Sequence, residues 1–132
     1  MRFSAPFSWS FVACLAFSLM GCNSSLSYQN QFTIGPGDVK PLRVDAPRRE
    51  QQVTVTFTSS AAPVDVYLAL DKDLDNALIA IENYKKPEGI LAKLEKSSNG
   101  SLQAVIPAKT AFGVIVAGSI RDTSVEVKIT SK

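Results

Sequence analysis

Val53-Thr-Val-Thr-Phe-Thr58 alternates apolar and polar residues without a break. Side chains along a strand point to opposite faces in turn. A period of two therefore sets Val53, Val55 and Phe57 on a core face and Thr54, Thr56 and Thr58 toward water or a partner. After the turn Ser59-Ser-Ala-Ala-Pro63, Val64-Asp-Val-Tyr-Leu-Ala-Leu70 repeats the pattern, with Val64, Val66, Leu68 and Leu70 as its buried set.

The same texture extends outward in both directions. Upstream, Phe32-Thr-Ile34 precedes Gly-Pro-Gly-Asp, a turn in which glycine supplies positive φ and proline fixes φ. Val39 to Asp45 follows, and Pro41 marks it as an edge strand or bulge because proline cannot donate to a ladder. Downstream, strands are expected at Ile90 to Lys96, Leu102 to Pro107, Phe112 to Ala117 and Val125 to Thr130. Phe112-Gly-Val-Ile-Val-Ala117 is apolar on both faces, as a central strand covered from both sides is. Asn99-Gly100 is a two-residue hairpin signal between the strands that flank it. One stretch breaks the period: Leu74, Ala77, Leu78 and Ile81 recur at helical spacing behind Asp71, Asp73 and Asp75, which favour a helix N-terminus. A short helix is expected over Asp73 to Asn83, stopped by Pro87 and Gly89. Eight short strands with one helix argue an all-β fold, a two-sheet antiparallel β-sandwich of jelly-roll type.

The order of these runs resembles bacterial pre-peptidase C-terminal and related jelly-roll domains. It has the opening Phe32-x-Ile-x-x-Gly37, a Val-Thr-Val strand, Val64-Asp-Val-Tyr-Leu68 and a closing Val-x-Val-x-Ile. The helical stretch after Leu70 departs from that family. The resemblance implies an accessory, non-enzymatic module.

A different chemistry precedes the domain. Met1 to Pro6 carries the single basic residue Arg2, and the apolar run Phe7 to Met20 suits the core of a secretory signal peptide but is too short to span a bilayer. Leu19-Met20-Gly21-Cys22 closes the run and resembles the bacterial lipoprotein box, Leu-x-(Gly/Ala)-Cys. The resemblance implies cleavage of residues 1–21, a diacylglycerol thioether on Cys22 and acylation, as by palmitate, of the new amino group. Two or more acyl chains suffice for stable anchoring. Under the enterobacterial sorting rule, Asn23 in place of Asp directs such a protein to the outer membrane. Residues 22–31 read as the lipidated cysteine and a polar tether, and 32–132 as the sandwich domain.

Composition excludes several functions. The chain has no histidine, so catalysis by Ser-His-Asp or Cys-His pairs and His-bearing zinc sites are ruled out. Both cysteines lie in or beside the leader, so the domain carries no disulfide. A formal charge of +2 leaves no electrostatic footprint for nucleic acid.

Three constellations remain. Asp71-Lys-Asp-Leu-Asp75 with Glu82 has most of the calcium-loop spacing, although Asn76 stands where that loop has glycine and a strand precedes it instead of a helix. The alternative is helix-capping aspartates. Asp65 with Glu126, or Ser97 or Ser98 with Lys96, are the nearest approaches to catalytic pairs, and nothing in the sequence places either in a cleft. The only tryptophan is in the leader, and Tyr67 points away from the Val64 face, where it could serve as a sugar platform or pack against cross-strand neighbours. The resulting expectation is a non-enzymatic envelope lipoprotein. It would be membrane-bound through its lipid, with an envelope protein as partner, or alternatively a polysaccharide through a carbohydrate-binding or calcium-dependent adhesion module.

Overall fold

The computed structural model describes residues 26–132. The leader, the lipoprotein box and Cys22 lie outside the described residues. Eight strands form two four-stranded sheets. The first contains, in spatial order, β1 (Ser27–Ile34), β8 (Thr123–Ser131), β3 (Gln51–Ser59) and β6 (Asn99–Ile106). The second contains β2 (Val39–Val44), β7 (Phe112–Ala117), β4 (Val64–Leu70) and β5 (Ile90–Ser97). Every neighbouring pair is antiparallel. The chain changes sheets at every connection except β4 to β5, which gives the jelly-roll order expected from the sequence.

The alternation explains the core. Val53, Val55 and Phe57 of β3 face Val64, Val66 and Leu68 of β4 across the sandwich, with Val125, Val127 and Ile129 of β8 beside the first set and Val114 and Val116 of β7 beside the second. Leu70 is only half-buried at the rim of this cluster. All six residues of β7 are buried, as its two-faced apolar sequence implied.

The covering layer on the outer face of the second sheet is α1 (Asp71–Glu82), which sits between β4 and β5. It starts two residues before the expected Asp73. Leu74 and Ala77 of α1 pack on Tyr67, Ala69 and Ile115, with Leu78, Ile81, Val39 and Ile90 at the margin. Gly113 lets the helix approach: a Cβ there would come within 2.7 Å of Leu74 Cδ2 and 3.0 Å of the Leu42 carbonyl oxygen.

Two expectations are corrected. Ser27–Gln31, read as tether, belongs to β1, where Ser27 pairs with Thr130 and Gln31 with Glu126. Tyr28 and Phe32 pack against the core on the inward face, while polar Asn30 occupies the inward position between them and hides the period of two. Asn30 Nδ2 donates to the Tyr28 hydroxyl at 3.3 Å, which partners the amide that breaks the pattern. Asn99-Gly100 is not a hairpin turn, because β5 and β6 lie in different sheets and both residues already belong to β6, opposite Thr58 and Phe57. Gly100 is needed there for space: a Cβ would stand 2.5 Å from Leu94 Cδ1, where the side chains of β5 close over the sandwich edge.

Candidate functional site

The residues singled out for calcium do not converge. Asp71, Asp73 and Asp75 lie on a helix instead of a loop, and at 3.6 residues per turn Asp73 points away from the other two. Arg43 of β2 takes both of those, Asp71 Oδ1 at 2.9 Å and Asp75 Oδ1 at 2.6 Å, and the paired carboxylates keep its guanidinium more firmly protonated. The Asp73 carboxyl lies against Gly89 instead. Glu82 ends the helix, about 10 to 16 Å further along its axis than the three aspartates at about 1.5 Å per residue. Among the described residues no group of three or more acidic side chains is placed to hold a metal ion. Asp71 and Asp73 therefore act as helix-terminal charges, and the exposed Arg43 pairs contribute about 0.2–1 kcal/mol each in tying β2 to the first two turns of α1.

The candidate carboxylate pair is also taken apart. Asp65 projects from the outer face of the second sheet and Glu126 from the outer face of the first, so the core lies between them. Asp65 Oδ1 accepts the Lys96 amide at 2.7 Å and steadies a bulge in β5, while Glu126 Oε2 accepts from Gln29 Nε2 at 2.8 Å. Lys96, Ser97 and Ser98 form the corner where the chain leaves one sheet for the other.

Tyr67 faces outward from the core, as its alternation required, yet it is only 4% exposed because α1 covers that face. It is no open platform. Its hydroxyl reaches past the helix and donates to Glu95 Oε2 at 3.1 Å. Burial, with the charges of Asp65 and Glu95, pushes this phenol well above the ordinary tyrosine range. An unfolded tyrosine ionises at about pH 10, and the folded one holds its proton beyond that. Stability is thus unaffected by this group below about pH 10 and declines as the pH climbs toward the folded pKa. Urea unfolding over an alkaline pH series should show the decline, and Tyr67→Phe should flatten it.

The Tyr67 hydroxyl opens into a groove of about 450 Å³ between the end of α1 and β5, lined also by Asp65, Ile81, Tyr84, Lys93 and Glu95. Tyr84 dominates its rim. The helix closes with Lys85 N–H donating to the Ala80 carbonyl at 2.7 Å and Tyr84 N–H to the Ile81 carbonyl at 3.1 Å, the two bonds of a Schellman motif. That motif needs a left-handed residue at its hinge, usually glycine, and here Tyr84 adopts φ 58°. A bulky side chain in that conformation costs about 1–2 kcal/mol. The ring is 91% exposed, so packing within the domain returns almost none of it.

A second concavity, about 500 Å³, lies on the outer face of the first sheet among Thr56, Thr58, Asn99, Ser101, Glu126 and Lys128. It is a hydroxyl- and amide-lined surface without an exposed aromatic. The groove at Tyr84 is the better candidate because strain, exposure and charge coincide there. Only the run Tyr84-Lys-Lys86 between helix and Pro87, with no glycine to close the helix, marked it in the sequence.

No protein-family model matches the chain, and no curated protein is significantly similar to it. Solved structures are similar in fold at very low identity. The Yersinia pseudotuberculosis-derived mitogen aligns with a TM-score of 0.56 at 8% identity over 81% of this chain and 86% of its own. The pre-peptidase C-terminal domain of collagenase from Bacillus anthracis aligns at 0.54 and 11% identity, covering 79% and 89%. The decameric BFDV capsid protein aligns at 0.50 and 9% identity, covering 82% and 94%. What is shared is the sandwich. The likeness to the pre-peptidase C-terminal domain agrees with the resemblance in strand order, and at these identities it speaks for architecture alone.

Proposed function

We propose that this chain is a lipid-anchored, non-enzymatic binding module of the cell envelope. The observation that carries this reading is the closeness of the lipoprotein box to the folded domain. Leu26 is already bonded into the sandwich, its N–H donating to Ser131 Oγ at 2.8 Å and its carbonyl accepting from Ser131 N–H at 3.2 Å. Residues 23–26 are all that separate Cys22 from β1, a reach of about 14 Å at about 3.6 Å per residue. A domain held that near its attachment point works against the membrane that carries it. Separation of the candidate catalytic carboxylates onto opposite faces favours binding over hydrolysis. In a Gram-negative source, Asn23 favours the outer membrane for the anchor.

Replacing Cys22 by serine tests the anchor. The variant should lose metabolic palmitate labelling and leave the membrane fraction, or remain there unprocessed, while its domain melts at the same temperature as the parent's. Labelling that survives the substitution would overturn the anchor.

An envelope protein is the partner that an accessory sandwich most readily takes. The second reading, a carbohydrate-binding module, is favoured by one observation, the strained and exposed Tyr84.

A further inference from the structure

Tyr84 combines two properties that folding alone does not account for: a left-handed backbone where glycine serves better, and a ring that the domain leaves in water. Strain of this kind persists where the side chain has a use. The groove beneath the ring indicates what that use is. Its carboxylates are engaged, Asp65 by the Lys96 amide at 2.7 Å and Glu95 by the Tyr67 hydroxyl at 3.1 Å and Lys93 Nζ at 3.7 Å. Lys85 and Lys86, also on the lining, make no ion pair among the described residues. The site therefore offers two ammonium groups outside any ion pair beside an aromatic face, while each carboxylate already holds at least one hydrogen-bond partner.

We propose that Tyr84 and this groove bind an anionic polysaccharide. The electron-rich face of the ring takes the C–H side of a sugar, and Lys85 and Lys86 take its carboxylate or sulfate. A sugar chain fits better than a protein partner because the lining is mostly polar or charged, with Ile81 and Pro87 as its aliphatic members, and an interface core is depleted in charge. A neutral glycan would leave both ammonium groups without a counter-charge. The inference takes up the carbohydrate-binding reading, given second above, names its ligand class and rests on that reading.

The test titrates the purified full chain with polygalacturonate and with heparin, using neutral dextran and polyglutamate as controls. Either acidic glycan should bind, with affinity falling as salt rises, and both controls should bind at least tenfold more weakly. Tyr84→Gly should weaken glycan binding at least tenfold and raise Tm by a few degrees, because it removes the ring and the strain together. Tyr84→Asn, which also tolerates the left-handed region, should behave alike. Lys85→Gln with Lys86→Gln should weaken binding and flatten its salt dependence. Failure of both acidic glycans to bind, equal binding of either control, or undiminished binding by Tyr84→Gly would each overturn the proposal. A fall in Tm for Tyr84→Gly would overturn the strain on which it rests. A chain that binds no glycan but still loses its membrane attachment with Cys22→Ser removes this inference and leaves the anchor standing.

Discussion

Leu74→Ala should lower the stability of the domain by about 2–5 kcal/mol, the usual range for emptying a buried leucine site. Leu74 is fully buried in the first turns of α1, and both of its methyl carbons approach Gly113 of β7. Gly113 has no side chain to fill the space, so collapse is hindered and the cost belongs in the upper part of the range. At about 4–8 °C per kcal/mol for a domain near this size, thermal melting makes the effect plain. The loss should also be visible at a distance. With α1 loosened, Tyr67 gains water, and its phenol should titrate closer to an ordinary tyrosine than in the parent. A loss below about 1 kcal/mol, with the Tyr67 titration unmoved, would mean that the helix does not depend on this contact.

Thr123→Val keeps the shape of the side chain and should still cost about 2–3 kcal/mol, because it strands buried donors. Thr123 Oγ1 accepts the amides of Ala61 at 2.9 Å and Ala62 at 3.2 Å and shares a hydrogen bond with Ser59 Oγ at 2.7 Å. Ser59 in turn donates to the Ala62 carbonyl. This small buried network holds the β3–β4 turn onto the start of β8. Ala62 is buried, so its amide has no water to turn to, whereas exposed Ala61 recovers part of its loss. Thr123→Ser keeps the hydroxyl and loses one methyl, worth about 0.8 kcal/mol. Urea denaturation of the two variants should therefore rank valine as the more damaging, and the reverse order would show that the network carries little of the stability.

These residues show where reading from sequence stops. The strands announced themselves because burial on one face imposes a period of two, and β7 announced its double burial by being apolar throughout. Pairing was not legible. Which strands share a sheet depends on contacts far apart in sequence, so Asn99-Gly100, a turn by local chemistry, proved to be part of a strand chosen for its lack of a side chain. Alternation puts Tyr67 on the outer face of β4, but nothing local to that strand says that α1 covers the face. The apolar stripe Leu74, Ala77, Leu78 and Ile81 required a surface to cover, and the outer faces of β4 and β7 were that surface. The acidic residues at calcium-loop spacing misled because a helix and a loop can share a spacing while placing its members on different sides. At the candidate site, positive φ at Tyr84 is a property of the folded backbone and no residue type reveals it.

The double hydrogen bond between Leu26 and Ser131 also bears on how this chain can be rebuilt. It brings the beginning of the described chain beside its end, so a linker of a few residues could join them into a ring without crossing the sandwich. Such closure would restrict the unfolded chain while leaving the native contacts alone. It also means that a reporter fused after Lys132 would emerge next to Leu26. With the anchor proposed on Cys22, that becomes the crowded side.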